Sequence, residues 1–259
     1  MLPDPLFWNV HMYGVMIAVG ILCGFLFLLY ACSRLKIDSS FVDFIFYNGM
    51  AAIVVGFGSA ALFQAFYDFL ENPSAGFKIT GGITFIGGLI GGAASFLIVY
   101  ALLRKRLKGR LFDVLSVIPC VILVAHAFGR VGCFFAGCCY GKETDSFLGV
   151  KFPNLPHPVH PTQLYEAAFL FIMFAVCAYL LLRYRTRHNM SLYLFSYGIF
   201  RFLIEYVRND YRGTGIVSFL TPSQFWSVCM VALAFLVYFL EKKFIAPYVP
   251  GGEESVKED

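Results

Sequence analysis

Apolar stretches long enough to cross a bilayer constrain this chain more than any other feature of its sequence. A membrane-spanning helix needs about 20 mostly apolar residues, and here 59% of the residues are hydrophobic while only 14% are charged. The seven stretches of about this length are His11–Ala31, Val42–Leu70, Ile83–Leu103, Phe112–Gly129, Thr162–Leu182, Met190–Val207 and Pro222–Leu240. The sequence therefore predicts an all-α, polytopic membrane protein with about seven transmembrane helices.

The positions of lysine and arginine predict how these helices are oriented. Basic residues are enriched in cytoplasmic loops, and they follow the first, third, fifth and seventh apolar stretches. They are Arg34, Lys36, Arg104, Lys105, Arg106, Lys108, Arg110, Arg183, Arg185, Arg187, Lys242 and Lys243. We therefore expect the N-terminus outside and the C-terminus in the cytoplasm. The net charge of +4 comes from these loops and does not indicate nucleic-acid binding.

The domain organisation predicted from the sequence is simple. We expect one transmembrane domain over residues 1–245 and a cytoplasmic tail over residues 246–259. No basic n-region and no clear cleavage site accompany the first apolar stretch, so we expect it to be an uncleaved anchor.

One long segment between apolar stretches is too polar to cross the membrane. Arg130–Pro161 is rich in Gly, Pro and Cys, and we expect an irregular extracytoplasmic loop over residues 130–161. Irregular backbone at this depth must be buried in protein or face a water-filled cavity. Arg130 should mark the exit from the fourth helix, and ionisable groups at such depth are costly and usually functional.

Charged and polar residues also interrupt the later apolar stretches. Glu166 lies about one turn inside the predicted fifth helix, so it needs a partner. Arg201 and Glu205 are four residues apart and can pair on one helix face, with Tyr197 and Arg208 on or near the same stripe. One interpretation is a structural ion pair within the membrane.

The number of arginines favours a different interpretation. Arg130, Arg201 and Arg208 outnumber the two carboxylates in these stretches. Because a guanidinium group binds phosphate through a two-pronged hydrogen bond, this excess indicates an anionic ligand, most naturally a phosphate.

Three cysteines in the central segment, Cys133, Cys138 and Cys139, admit three interpretations. Two of them can form a disulfide outside the cytoplasm, or a thiol beside Arg130 can be reactive. A metal site could recruit a neighbouring histidine, but Cys-x4-Cys-Cys is not a standard zinc spacing. We therefore expect no metal here. The six glycines between Gly81 and Gly92 suit either helix packing or close approach to a ligand.

These features occur together, and in this order, in one known family. The matching pieces are Tyr13-Gly14, Gly87-Gly88-Leu89-Ile90-Gly91-Gly92, Gly129-Arg130-Val131-Gly132, Pro161-Thr162-Gln163-Leu164-Tyr165-Glu166 and Tyr197-Gly198-Ile199-Phe200-Arg201-Phe202-Leu203-Ile204-Glu205-Tyr206-Val207-Arg208. They cover about residues 13–213. The chain resembles the prolipoprotein diacylglyceryl transferases, bacterial membrane enzymes with seven spans and an extracytoplasmic N-terminus.

The resemblance implies an activity and its partners. The enzyme would move the diacylglyceryl group of phosphatidylglycerol onto the thiol of a lipobox cysteine in a prolipoprotein signal peptide, and would release glycerol phosphate. It would be a multi-pass protein of the bacterial cytoplasmic (inner) membrane, in contact with membrane lipid, with an active site that faces outward. No cofactor is implied.

The resemblance also implies roles for individual residues. Arg130 would bind the phospholipid headgroup, and Arg201 would activate or stabilise the reacting centre. Glu205 and Arg208 would support Arg201, and Tyr13 would line the cavity. Further substrate-binding residues by position are Gly129, Gly132, Gly87, Gly88, Gln163, Tyr165 and Glu166.

The sequence departs from the family pattern at two places. Ile86 stands where the family usually has a histidine, and Cys133 and Cys138 replace an asparagine and a glutamate of the central motif. These changes indicate altered chemistry or a local disulfide, and His126 or His160 would be the substitute base.

Three other functions remain open at this stage. The first is a diverged paralogue that transfers a phospholipid group to another acceptor. The second is a lipid or anion transporter, although we find no inverted repeat or broken helix pair. The third is a thiol–disulfide protein, although the chain lacks a Cys-x-x-Cys pair among the three loop cysteines.

Overall fold

The computed structural model describes residues 11–79, 82, 84–209 and 220–244. Within them the α-helices are α1 (Met12–Arg34), α2 (Ser39–Glu71), α3 (Phe85–Leu103), α4 (Leu111–Val114), α5 (Ile118–Ala136), α6 (Thr162–Tyr184), α7 (Asn189–Ile204) and α8 (Pro222–Phe244). Pro73–Ala75 form one 3-10 turn, and β-pairing in the described residues is limited to isolated bridges. The predicted all-helical class is confirmed. The tail at residues 246–259 lies outside the described residues.

Five of the described helices, α1, α2, α5, α6 and α8, are long and apolar enough to cross a membrane. Helix α3 is a shorter apolar helix, and the 16 residues of α7 extend over about 24 Å at 1.5 Å per residue. Many large apolar side chains on these helices face outward, such as Leu102 at 75% exposed and Val54 at 72%. Lipid contact requires such a surface, and the protein is a multi-pass membrane protein.

The fourth predicted helix, Phe112–Gly129, differs most from the structure. The chain forms the short helix α4, breaks, and then continues as α5 through Ala136. Arg130 therefore lies inside a helix, and the prediction of an irregular loop is wrong for residues 130–136. A helix satisfies its own backbone hydrogen bonds, which a loop at membrane depth cannot do.

Glycines explain where α5 continues and where it ends. Gly132 lies against α1 so closely that a Cβ there would be 3.1 Å from the Tyr13 ring. Gly132 suggested a loop in the sequence, but in the structure it allows α1 and α5 to pack closely. The helix ends at Gly137, whose φ of 68° is left-handed, a conformation that glycine adopts without strain.

The rest of the central segment, residues 137–161, is irregular as predicted, but it is held in place. The Lys142 N–H donates to the Val207 carbonyl just beyond α7 at 2.8 Å. Phe152, only 2% exposed, packs against the Phe134 ring of α5. The loop is therefore joined to the ends of α5 and α7.

The chain forms two compact units, one made of residues 1–35 and 111–259 and the other of residues 36–110. In the first unit, α5 packs against both α1 and α6, and α7 packs against α8. Helices α1 and α5 approach closely at Gly20, where a Cβ would lie 2.9 Å from the Ala125 carbonyl oxygen.

In the second unit, α2 and α3 pack through small residues. A Cβ on Gly56 would lie only 3.1 Å from the Gly88 carbonyl oxygen. The Ser59 hydroxyl donates to the Gly87 carbonyl at 2.8 Å. Close approach through small residues is a typical way for membrane helices to pack. Packing against α2 thus accounts for Gly87 and Gly88, and their predicted role in substrate binding stays a prediction.

Gly92→Leu is expected to destabilise this helix pair. A Cβ at Gly92 would already lie 3.0 Å from the Ala52 carbonyl oxygen, so a leucine must push the two helices apart. Overpacking of this kind lowers the free energy of unfolding by about 1–3 kcal/mol. Thermal unfolding in detergent measures the loss. The matched control is Gly58→Leu, because Gly58 faces open space; equal melting temperatures for the two variants would contradict the prediction.

Candidate active site

A single buried carboxylate collects charged and polar groups from three helical segments. Glu166 lies one turn into α6 and is 0% exposed. The Tyr197 hydroxyl donates to its Oε1 at 2.7 Å, and Arg130 Nη2 lies 3.0 Å from the same oxygen. Arg208 Nη1 lies 3.7 Å from Oε2. We call Glu166, Arg130, Arg208 and Tyr197 the ionic cluster.

The ionic cluster holds a guanidinium group, that of Arg130, whose hydrogen-bonding capacity is not fully used by the described residues. A buried charge is costly unless it is paired, and here one carboxylate serves two guanidinium groups, Arg130 and Arg208. The Nε of Arg130 is also buried without a hydrogen bond to any described residue. The arrangement can therefore accept an anion with oxygen acceptors.

A second ion pair lies on α7 and is held by the start of α8. Arg201 Nη1 contacts Glu205 Oε2 at 2.7 Å, which confirms the pairing predicted from their spacing. Arg201 Nη2 donates to the Ser223 hydroxyl at 2.8 Å, and the Thr221 hydroxyl donates to Glu205 Oε1 at 2.9 Å. Arg201 is 7% exposed, and its two partners, Glu205 and Ser223, fix the position of its guanidinium group.

The two sets of charges belong to one neighbourhood. Tyr197 lies one helical turn before Arg201 on α7 and is bonded to Glu166 of the ionic cluster. The ring centroids of His126 on α5 and Tyr197 lie 5.4 Å apart. His126 Nε2 lies 3.6 Å from Glu166 Oε1. Residues from α5, α6 and α7 therefore converge around Glu166.

Three of the other predicted substrate-binding residues of this unit, Gln163, Tyr165 and Gly132, contact the loop or α1. The Gln163 amide donates to the Cys138 carbonyl at 2.5 Å, and the Tyr165 hydroxyl lies 3.1 Å from His160 Nδ1. Gly132 packs against Tyr13, as described above. Gly129 lies on α5, and nothing would approach its Cβ within 4 Å.

Sequence reasoning missed the two hydroxyl residues that hold the second ion pair. The only signal was Thr221-Pro222-Ser223 at the start of the eighth helix. This pattern is typical of a helix N-terminus, and the Gln224 N–H does donate to the Thr221 hydroxyl at 3.2 Å.

The three cysteines of the central segment lie together beside this site. The sulfur atoms of Cys133, Cys138 and Cys139 all lie within 4.8 Å of one another, and all three are free thiols. We call these residues the thiol cluster. Hydrogen bonds with Cys133 and Cys138 lower the pKa of the Cys139 thiol, and the charges of Arg208 and Arg130 lower it further, although burial opposes them.

A cavity of about 600 Å³ lies elsewhere, at the opposite ends of α6 and α7. Its wall includes His188, Asn189 and Tyr238 and no member of the ionic cluster or the thiol cluster. The described residues that line it include no arginine or lysine, so it offers no fixed guanidinium or ammonium group to an anion.

The fold and site define a multi-pass membrane protein with a buried ionic cluster formed by α5, α6, α7 and the residues just after α7. The family model described as prolipoprotein diacylglyceryl transferase matches residues 5–240. The chain belongs to the prolipoprotein diacylglyceryl transferase family, as its motifs predicted.

Individual relatives agree with this assignment. The chain is 35% identical over 247 residues to the phosphatidylglycerol–prolipoprotein diacylglyceryl transferase of Clostridium tetani, covering 90% of this chain and 94% of the relative. It is 30% identical to transferase 2 of Clostridium perfringens, with 90% and 92% covered. It is 31% identical to the transferase of Xanthomonas campestris over 288 residues, with 96% and 94% covered.

Proposed function

We propose that this protein transfers the diacylglyceryl group of phosphatidylglycerol to the thiol of a lipobox cysteine in prolipoproteins. Family membership and the names of the relatives support the reaction and its two substrates. The observation that carries the proposal is the ionic cluster, in which Arg130 and Arg208 share one carboxylate. The Nε of Arg130 is buried without a hydrogen bond to any described residue, and a guanidinium group binds phosphate oxygens strongly.

The chemistry needs a thiolate, an electrophilic glyceryl carbon and a way to stabilise the departing phosphate. Fixed cations in a site with little water stabilise developing negative charge strongly, and they need no rearrangement during the reaction. In this proposal Arg130 binds the headgroup phosphate, and Arg201 stabilises the reacting centre with Glu205 as its fixed counter-ion. Arg208 supports Arg201, and Tyr13, which packs against α5, lines the substrate site.

We propose that the site faces outward from a seven-span protein of the bacterial inner membrane, with the N-terminus outside. The direction of α6 supports this orientation. Glu166 lies near its first residue, whereas the basic residue Arg183 lies near its last. Because basic residues mark the cytoplasmic side, the ionic cluster belongs to the outer side. Labelling of engineered cysteines in intact cells tests it.

The direct test supplies purified protein with phosphatidylglycerol that carries labelled acyl chains, together with a synthetic lipobox peptide. We expect label on the peptide cysteine and free glycerol phosphate, and no label on a peptide with serine at that position. Label on a different acceptor would identify the diverged paralogue suggested by Ile86. Movement of lipid across vesicles without any covalent product would identify a transporter and overturn the proposal.

The sequence-based candidates for the base are His126 and His160. His126 is near the ionic cluster, whereas His160 is bonded to Tyr165 in the loop. If one of them is the base, His126→Ala should lose one limb of the pH–rate profile of transfer, because a base must be deprotonated to act. The control is His160→Ala. Two variants with the unchanged profile would exclude both histidines as the base.

A further inference from the structure

The thiol cluster brings three sulfur atoms together where a disulfide needs only two. The atoms all lie within 4.8 Å of one another, although Cys133 is on α5 and Cys138 and Cys139 are in the following loop. A disulfide would use two of them and leave the third with no partner. A metal ion with sulfur ligands would use all three.

The backbone around the thiol cluster is held by buried side chains of α6. Gln163 donates to the Cys138 carbonyl, and Thr162 donates to the Cys139 carbonyl at 2.8 Å. Thr162 is 0% and Gln163 1% exposed. Cys139 itself has a φ of 63°, a left-handed conformation that is uncommon for a residue with a side chain. The loop is therefore fixed in a shape that turns the sulfur atoms toward each other.

The thiol cluster also lies next to the proposed phosphate site. Cys133 follows Arg130 by one turn of α5, a rise of about 4.5 Å. Gln163 and Thr162, which hold the other two cysteines, lie one turn before Glu166 on α6. A ligand atom at the sulfur atoms would thus be about one helical turn from the ionic cluster.

The thiol cluster offers three sulfur ligands, one fewer than a structural zinc site has. Both the type and the number of ligands limit which metal can bind and what it can do. Thiolates select soft or borderline metals such as zinc, and catalytic zinc sites have three protein ligands and one open position. We propose that Cys133, Cys138 and Cys139 bind a zinc ion whose fourth position takes the thiol that is to be alkylated. This inference rests on the proposed transfer reaction. It also differs from the sequence-based expectation of no metal, because spacing alone did not show that the three sulfur atoms meet.

The resulting step balances without an oxidant or reductant. The acceptor thiol replaces water on the zinc, and its proton passes to solvent, because a coordinated thiol is deprotonated. The sulfur electron pair then forms the bond to the glyceryl carbon. The bond from that carbon to the phosphate oxygen breaks, and glycerol phosphate leaves with the electron pair beside Arg130. The thioether product is uncharged and binds zinc weakly, so water replaces it.

Zinc also accounts for the two departures from the family pattern at once. Ile86 cannot act as a base, and an activated, metal-bound thiolate removes the need for one. Cys133 and Cys138 then take part in the chemistry as ligands rather than as replacements for the usual asparagine and glutamate.

The first experiment measures metal binding by the full-length, reduced protein in detergent. We expect one zinc per chain by elemental analysis, and sulfur neighbours at about 2.3 Å by X-ray absorption. Cys133→Ser, Cys138→Ser and Cys139→Ser should each lower the zinc content, whereas the matched control Cys229→Ser on α8 should not. Melting temperatures show whether each variant is folded. A zinc content that survives the triple substitution, or a disulfide within the cluster in protein that transfers lipid, would overturn the proposal.

The second experiment asks whether the acceptor thiol binds the metal, and it needs no variant. Cobalt-substituted protein is titrated with the lipobox peptide, and we expect its absorption spectrum to change as a fourth sulfur binds. The serine peptide should leave the spectrum unchanged. An unchanged spectrum with both peptides would overturn the proposed role of the fourth position.

A chelator separates this inference from the proposed function. Removal of zinc should lower transfer by about 10²-fold or more, a typical contribution from proton-transfer catalysis, and added zinc should restore it. Full transfer by zinc-free, reduced protein would refute the role of zinc and leave the transferase intact. Zinc and peptide binding without any use of phosphatidylglycerol would instead refute the transfer reaction and leave the metal site standing.

Discussion

Arg130→Ala is expected to lower diacylglyceryl transfer by about 10³-fold or more while the protein stays folded. The loss of one preorganised donor to a developing negative charge costs about 10²–10³ in rate. In phosphoryl-transfer enzymes, where negative charge also develops on a phosphate group, one arginine contributes about 10³–10⁵. Folding should survive because Glu166 keeps Arg208 and Tyr197 as partners. The buried carboxylate is therefore not left alone.

Matched variants separate the charge of Arg130 from its shape. Arg130→Lys keeps the charge and loses the planar fork, so we expect transfer between that of the wild type and that of the alanine variant. Arg183→Ala removes an exposed arginine at the other end of α6 and should transfer at the normal rate. The assay with labelled phosphatidylglycerol and lipobox peptide measures all three. Normal transfer by folded Arg130→Ala would refute the proposed phosphate contact.

Arg201→Ala has the second largest expected effect, a loss of transfer of about 10²–10³-fold. Arg201 is held by Glu205 and Ser223, so its guanidinium group is fixed before the substrate arrives. Removing one partner of a buried pair also costs about 3–5 kcal/mol of stability, because the other charge is left uncompensated. Both rate and melting temperature should therefore fall.

A double variant distinguishes a catalytic arginine from a structural ion pair. In Arg201→Ala with Glu205→Ala, no charge remains unpaired, so much of the lost stability should return. Transfer should stay low if Arg201 stabilises the reacting centre. Recovery of transfer together with stability would show that the pair is structural and would remove Arg201 from the proposed mechanism.

The sequence predicted the long helices well because the length and apolar composition of a stretch are enough to indicate a helix in lipid. Residues 162–184 and 222–244 needed no information from elsewhere in the chain. The misplaced end of the fourth helix shows the limit of this reasoning. Gly132 and Arg130 looked like a loop, but Gly132 packs against Tyr13, a residue more than a hundred positions away in the chain. No pattern in the sequence near Gly132 indicates a contact of this kind.

The sequence by itself determined the membrane class, the family and the excess of arginine over carboxylate. It also determined the pairing of Arg201 with Glu205, because helical spacing places residues four apart on one face. Only the tertiary structure decided that Glu166 pairs with Arg130 and Arg208. Only the tertiary structure brought the three sulfur atoms together. The physical reason is that spacing encodes contacts within one helix, whereas contacts between helices depend on how their surfaces pack.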